Sequence, residues 1–354
     1  PTRRPKQTAS GAAGLFCGMN YRLRSAQDLN KPEPNRFAEI THETKQLLRT
    51  FKAIDPSHHG EGKIGILISC YRPEAFAHDF LKNLAELATP ERLVPVVINA
   101  GMSAECEETF KQSLAEGGFH QYHLLNRPGI GIYEAWNVGI EVLGNTVEFI
   151  TNFNVDDRRH PLCLNAQAEC LNTFPSKQVA ITDYCYFFKS EQHTKDLYAS
   201  NSGNITLIPT VNQRTLIDRN FPHSSPLWRR SLHRPNNVGL FDASYQSAGD
   251  AEFWYRVSQM HPNAFQVISI PLSLYYQNPK GLSTRPQTIG VIEYQRCTRD
   301  HYNWIVKTID SAASERFSEK HLNISSPEHL QLFAYISSLN DNIAILARED
   351  EGKP

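Results

Sequence analysis

KIGILISCY at residues 63–71, LVPVVINA at 93–100, HQYHLLN at 120–126 and VEFITNFN at 147–154 are apolar runs, most of them rich in β-branched residues. Between them lie EAFAHDFLKNLAELA (74–88), SAECEETFKQSLAEG (103–117) and IYEAWNVGIEVLG (132–144), where apolar residues recur at helical spacing. Strands that are apolar on both faces fit a parallel sheet covered by helices on its two sides. Their regular alternation with helices of this length predicts successive βαβ units, hence an α/β fold with a mostly parallel central sheet. Sheets of this kind take their ligands at the carboxyl ends of the strands.

Outward from this stretch the pattern loosens. LCLNAQAECLNTF (162–174) and DAEFWYRVSQM (250–260) read as helices, and KQVAITDYCYFF (177–188) and AFQVISIPLSLYYQ (264–277) as strands. Two or three helices close the chain, over 291–313 and 327–349. Ahead of Lys63, Arg3, Arg4, Lys6, Arg22, Arg24, Lys31 and Arg36 outnumber Asp28 and Glu33, and 37–54 has the periodicity of an amphipathic helix. The expected organisation is a basic leader with that helix (1–60), a first half of the core (61–157), a second half (158–288) and a helical extension (289–354). The chain opens without Met and without an apolar run, which reads as a processed or excised polypeptide with no signal peptide.

Across 354 residues, 36 Lys and Arg face 37 Asp and Glu, for a net charge of −1. That balance provides no global field to draw nucleic acid or an anionic bilayer, so no nucleic-acid partner and at most peripheral membrane contact are expected. Seven cysteines cannot all pair and form no CxxC, which favours a reducing compartment: the cytoplasm, or the inner face of its membrane.

The chemistry concentrates in three segments. VEFITNFNVDDRRHP (147–161) breaks from a strand into Asn154, Asp156 and Asp157. Adjacent carboxylates repel, and a divalent cation would relieve them; a solvated turn that caps the next helix is the plain alternative. NRPGIGIYEAWNVGI (126–140) carries glycines that let the backbone turn closely and Arg127, a cation suited to phosphate. In NNVGLFDASYQSAGDAEFWYRVS (236–258), Asp250 precedes an amphipathic helix, as a general base or as a helix cap.

Taken in order, these segments resemble the inverting family-2 nucleotide-sugar glycosyltransferases of the GT-A fold. ISCYRP stands where that family has its first nucleoside turn, VINAGMS at its second strand end, NRPGIGIYEAWNVGI at its Asn-x-Gly…Ala-x-Asn-x-Gly segment, FNVDD at its metal motif, and VGLFDASYQSAGDAEFWYRV at its catalytic-base motif. The resemblance runs from about Lys63 to Thr284. It implies a nucleotide-diphosphate sugar donor, UDP-linked first of all, Mn²⁺ or Mg²⁺ as cofactor, and a hydroxyl acceptor on a surface glycan. It implies metal-holding roles for Asp156 and Asp157 and a catalytic base at Asp250. Ser69, Tyr71, Arg72 and Asn99 fall at the nucleoside, and Arg127, Gly131, Asn137 and Asn154 along the nucleotide and diphosphate. Departures are Asn99 and Ala100 in place of carboxylates, Asn154 in place of the first metal-motif Asp, and Gly249 in place of the usual Glu, with Glu252 as reserve base. After the last strand, Gln277, Lys280, Ser283 or Thr284 takes the place of the family's phosphate-side residues, Lys280 as a cation for the leaving group. A non-catalytic nucleotide-sugar or glycan-binding module on this fold is the alternative, and a nucleotidyltransferase a third.

Other residues read as structural. The histidines show no metal spacing, and Cys70 has no neighbouring catalytic His. Trp228 and Trp254 belong to a core or stack on a sugar ring. Arg229, Arg230, His233 and Arg234 form a basic patch, either a solvated loop or a hold for an anionic acceptor.

Overall fold

The computed structural model describes residues 62–189, 205, 206, 208, 210–212, 215, 216, 219–279, 281 and 289–301. The basic leader, the helix expected at 37–54, the last closing helix, and Lys280, Ser283 and Thr284 lie outside the described residues.

The strands are β1 (Ile64–Tyr71), β2 (Leu93–Gly101), β3 (His123–Asn126), β4 (Phe149–Asn152), β5 (Arg158–Arg159), β6 (Val179–Phe187), β7 (Ile205–Thr206), β8 (Leu227–Arg229) and β9 (Phe265–Tyr276). The helices are α1 (Glu74–Ala85), α2 (Ala104–Glu116), α3 (Ile132–Leu143), α4 (Cys163–Thr173), α5 (Gly249–Met260) and α6 (Ile289–Asp300). The sheet order is β3-β2-β1-β4-β8-β6-β9-β5, with β7 beside β6. The first four strands pair in parallel, as the alternation of the sequence predicts; β1 aligns Ile64 with both Leu93 of β2 and Phe149 of β4. β8 then runs antiparallel to both β4 and β6, and β6 and β9 are parallel again. The carboxyl ends of β1, β2, β3, β4, β6 and β9 consequently share one edge.

Helices cover both faces. Ile64, Ile66 and Ile68 of β1 enter one core layer with Phe80, Phe110 and Leu171, and Leu67 enters the other with Trp136, Trp228 and Trp254. That is the two-residue period of a strand buried on both sides. α1 buries Ala77, Phe80, Leu81 and Leu84, one helical stripe. α2 starts where the Ser103 hydroxyl accepts the Cys106 N–H at 3.2 Å, with Glu105 and Glu107 favourably placed in its first turn.

Two expectations shift. The fourth strand stops at Asn152, two residues early, because the chain must turn to bring Asp157 under β9. The Asn- and Ser-rich region before 235 holds β8 in mid-sheet, a three-residue strand too short to show any period.

Candidate active site at the carboxyl edge

At the end of β1, pairing with β2 slips between Cys70 and Tyr71, and Arg72 adopts φ 50°. A left-handed arginine is backbone strain, of the kind that collects at ligand sites. Its N–H donates to Gly101 O at 3.2 Å. Tyr71 is 62 % exposed, with the Arg72 guanidinium 5.2 Å from its ring centre, and Ser69 lies half-buried behind it. An exposed aromatic ring flanked by a cation is a flat platform for a base or a sugar.

Asn99, at the end of β2, is already engaged. Its carbonyl oxygen accepts the N–H groups of Gly101 (3.0 Å) and Met102 (2.8 Å), and its amide donates to Glu107 at 2.7 Å. One amide hydrogen is left for a ligand. Arg127 extends into solvent from the end of β3, its backbone N–H donating to Asn99 O. Gly129, at φ 78°, makes the turn there that a side chain would disfavour, and exposed Gly131 caps α3. Asn137 turns inward: its amide donates to Phe241 O (2.8 Å) and accepts Phe241 N–H (2.9 Å), tying α3 to the strand of chain before α5.

Beyond β4, both oxygens of Asp157 are bonded, one accepting the Tyr276 N–H of β9 (3.0 Å), the other the Asn154 amide (3.3 Å). Among the described residues, Asp156 accepts from another residue at one oxygen only, the Asn278 amide at 3.4 Å. Burial lifts both carboxyls above the ordinary range; in Asp157 the neighbouring charge of Asp156 adds to it. Arg158 favours the ionised form of Asp156, and Arg159 that of Asp157. Both arginines are buried, and Arg159 is anchored on Asn152 O and the face of Phe153. The donor set fits a hard divalent cation bound by one carboxylate and substrate phosphates: Asp156 has an oxygen to give, and Asp157 fixes the turn. Among the described residues no cluster of three or more His, Cys, Asp or Glu forms a metal cage.

Asp250 lies in the first turn of α5, one carboxylate oxygen accepting the Asn220 amide at 2.7 Å, the other 3.0 Å from the Tyr133 hydroxyl. That hydroxyl also donates to Ser247 O at 2.7 Å, so its single proton is shared. Tyr133 opens α3, which places Asp250 at the same edge as the turn after β3. Burial raises the Asp250 carboxyl above its ordinary value, and the bonds from Asn220 and Tyr133 hold that rise back. A base lifted in this way is closer to the working pH and still accepts a proton.

The glycine before it has a steric cause. A Cβ on Gly249 would sit 2.7 Å from Cδ2 of the Tyr133 ring. Gly249→Ala is expected to cost about 1–3 kcal/mol in denaturant unfolding, because buried ring and helix must part. Glu252, the reserve base, is paired with Arg256 (2.7 Å) and lies 3.6 Å from His301, with its carboxyl below its usual value. It fastens α5 to the carbonyls of Val238 and Leu240 through Arg256, and so does not join Asp250.

Tyr133, Asn220 and Glu293 are absent from the sequence reading. Tyr133 sits in a quoted motif but reads as one more apolar helix position. Glu293, on α6, accepts the N–H groups of Gln246 (2.8 Å), Ser247 (2.7 Å) and Ala248 (3.0 Å), the loop that leads into Asp250. Nothing local to residue 293 points to a loop some forty-five residues earlier.

For the tryptophans and the basic patch the structure chooses between the alternatives the sequence leaves open. Trp228 and Trp254 are fully buried, ring against ring at 5.6 Å, so neither meets a sugar. Arg229, Arg230, His233 and Arg234 follow β8, which runs antiparallel to β4, and so lie at the opposite, amino edge of the sheet. His233 is buried between Trp228 Nε1 and Gly239 O, with burial taking its pKa down to about 4. Cys70, Cys106, Cys163, Cys170, Cys185 and Cys297 are free and buried, and burial raises the Cys70 thiol far above the reactive range. No described helix is long and apolar enough to cross a membrane.

No sequence-family model and no curated protein matches the chain. Solved structures do. TarS 1–349 from S. aureus in complex with UDP-GlcNAc is 14 % identical with a TM-score of 0.51, covering 80 % of this chain and 83 % of that one. TarS 1–349 with UDP is 16 % identical at a TM-score of 0.48, covering 80 % of this chain and 72 % of that one. The mannosyltransferase PcManGT from Pyrobaculum calidifontis, with GDP-Man and Mn²⁺, is 15 % identical at 0.45, covering 90 % of this chain and 85 % of that one. Against two other TarS structures the chain spans 60 % of residues 1–349 and 36 % of the longer chain. The likeness is one of fold: this chain has a GT-A-like α/β architecture.

Proposed function

We propose that the protein is a metal-dependent, inverting glycosyltransferase that moves a sugar from a nucleotide-diphosphate donor, a UDP-sugar in the first instance, to a hydroxyl acceptor on a glycan. The observation that carries this reading is Asp250, an otherwise buried carboxylate held by Asn220 and Tyr133 at the sheet edge that also ends in the Tyr71–Arg72 platform and the Asp156 turn. The neighbours solved with UDP-GlcNAc and with GDP-Man and Mn²⁺ support a nucleotide-sugar donor and a divalent cation.

The division of labour follows from the chemistry. Tyr71 and Arg72 take the nucleoside, and Arg127 faces the diphosphate. Asp156 holds the cation, which when bound offsets the charge of the departing nucleoside diphosphate. Asp250 removes the acceptor hydroxyl proton as that oxygen bonds to the anomeric carbon and the bond from this carbon to the diphosphate breaks. One displacement with one base inverts the anomeric centre, through an oxocarbenium-like transition state.

A panel of sugar nucleotides, screened by thermal shift with and without Mn²⁺ and then for transfer and donor hydrolysis, tests the proposal. Stabilisation by one donor that requires the cation, followed by turnover, is the expected result. Binding with no turnover on any acceptor would favour a non-catalytic module. Asp156→Ala is expected to weaken Mn²⁺-dependent nucleotide binding by more than about tenfold in calorimetry. Unchanged binding removes Asp156 from the cation.

A further inference from the structure

At the amino edge of the sheet, remote from Asp250, the starts of β1 and β4 and the end of β8 enclose a cleft of about 940 Å³. Lys63, Glu148, Arg229, Arg230, Ser231 and Arg234 line it. Arg229 is built into the wall: it donates to the carbonyls of Lys177 and Leu171, lies 3.9 Å from Glu148 and covers the Phe149 ring. Among the described residues, the other three cations, Lys63, Arg230 and Arg234, have neither an ion pair nor a side-chain hydrogen bond. Arg230 is half-buried, and its Nε is sealed from solvent with no acceptor. One carboxylate against four cations leaves an excess of three positive charges in a chain whose net charge is −1.

We propose that this cleft is a second anion site that binds a phosphate-bearing ligand. Guanidinium forks match phosphate oxygens bidentately, and the volume is that of a small-molecule pocket. The site is independent of the donor edge: β1 alone separates the two by roughly 23 Å at about 3.3 Å per residue. A ligand held here therefore leaves the donor and acceptor openings free. The phosphate is supplied either by a soluble phosphate compound or by a lipid headgroup, and the two sources need different probes.

Calorimetric titration of inorganic pyrophosphate into the full chain in metal-free buffer reads the soluble source, because the donor edge then lacks its cation. Flotation with phosphatidylglycerol vesicles, against neutral phosphatidylcholine vesicles, reads the headgroup. Binding of at least one probe is expected, weakened about tenfold or more in Arg230→Gln/Arg234→Gln and unchanged in Arg127→Gln. Arg234→Gln alone, at an exposed position, is expected to weaken binding without lowering the melting temperature. Failure of both probes to bind the wild-type chain, or equal binding by wild type and the double variant, overturns the proposal. So does a loss that Arg127→Gln shares, since the anion would then sit at the donor edge.

Discussion

Asp250→Asn lowers the turnover of glycosyl transfer by about 10²–10⁴-fold, the range a positioned general base contributes, and leaves the donor dissociation constant unchanged. The amide keeps the size of the carboxylate and can still accept from Asn220, so the loss isolates proton removal from shape. Steady-state kinetics with a saturating acceptor, beside donor titration, separate the two quantities. Full activity in the variant would remove Asp250 from the reaction. In the wild type, the base works only when ionised. Burial raises its folded-state value, so protonation persists to higher pH than for an exposed aspartate. Activity accordingly rises with pH through that elevated value, and its acid limb lies above the ordinary aspartate range of about 4. An acid limb at or below that range would contradict the burial of the group.

Glu293→Ala strips three backbone N–H groups of their carboxylate at once. Hydrogen bonds to a charged acceptor contribute about 1.5–3 kcal/mol each, and the Gln246 end of the set is solvent-exposed, so a loss of about 3–5 kcal/mol is expected. For a domain of this size that is a fall in melting temperature of about 6–20 °C. The damage is also functional. Ser247, whose N–H Glu293 holds, supplies the carbonyl that shares the Tyr133 proton with Asp250. Turnover should therefore fall below the level that the remaining folded protein accounts for, as measured by activity per mole of native protein. A variant with wild-type melting would mean that α6 is merely packed against this loop.

The sequence reading reached the parallel half of the sheet and the segments at its carboxyl edge, because both are written locally. β1, β2 and the helices between them declare themselves through periods of two and 3.6, and Asp156, Asp157 and Asp250 stand at turns. What it missed is decided between distant segments. Asn220 and Tyr133 meet Asp250 across thirty and more than one hundred residues, and Glu293 reaches back to the loop before it. The same limit explains the alternatives left open. Trp228 could serve stacking or packing in a sequence; only the insertion of β8 in mid-sheet decides for packing. The arginines at and after its end read as a solvated loop or an acceptor hold until the direction of β8 sends them to the far edge. Asn99 and Asn137 have the right chemistry for a ligand, and the fold uses most of it for its own backbone.

The three-residue strand β8 has a further consequence, for the order in which the molecule assembles. β1, β2 and β3 close over short sequence separations, each neighbouring pair joined by one helix, whereas Ile64 meets Phe149 of β4 85 positions on and Phe149 meets Arg229 of β8 80 positions on. Local contacts form fast and long loops close late, so β1, β2 and β3 are expected to gather first and β4 to join them later. β8 then acts as the latch that joins them to β6 and β9, and with them Asp250. During synthesis, the first strands can take shape while the segment that bears Asp250 is still being made.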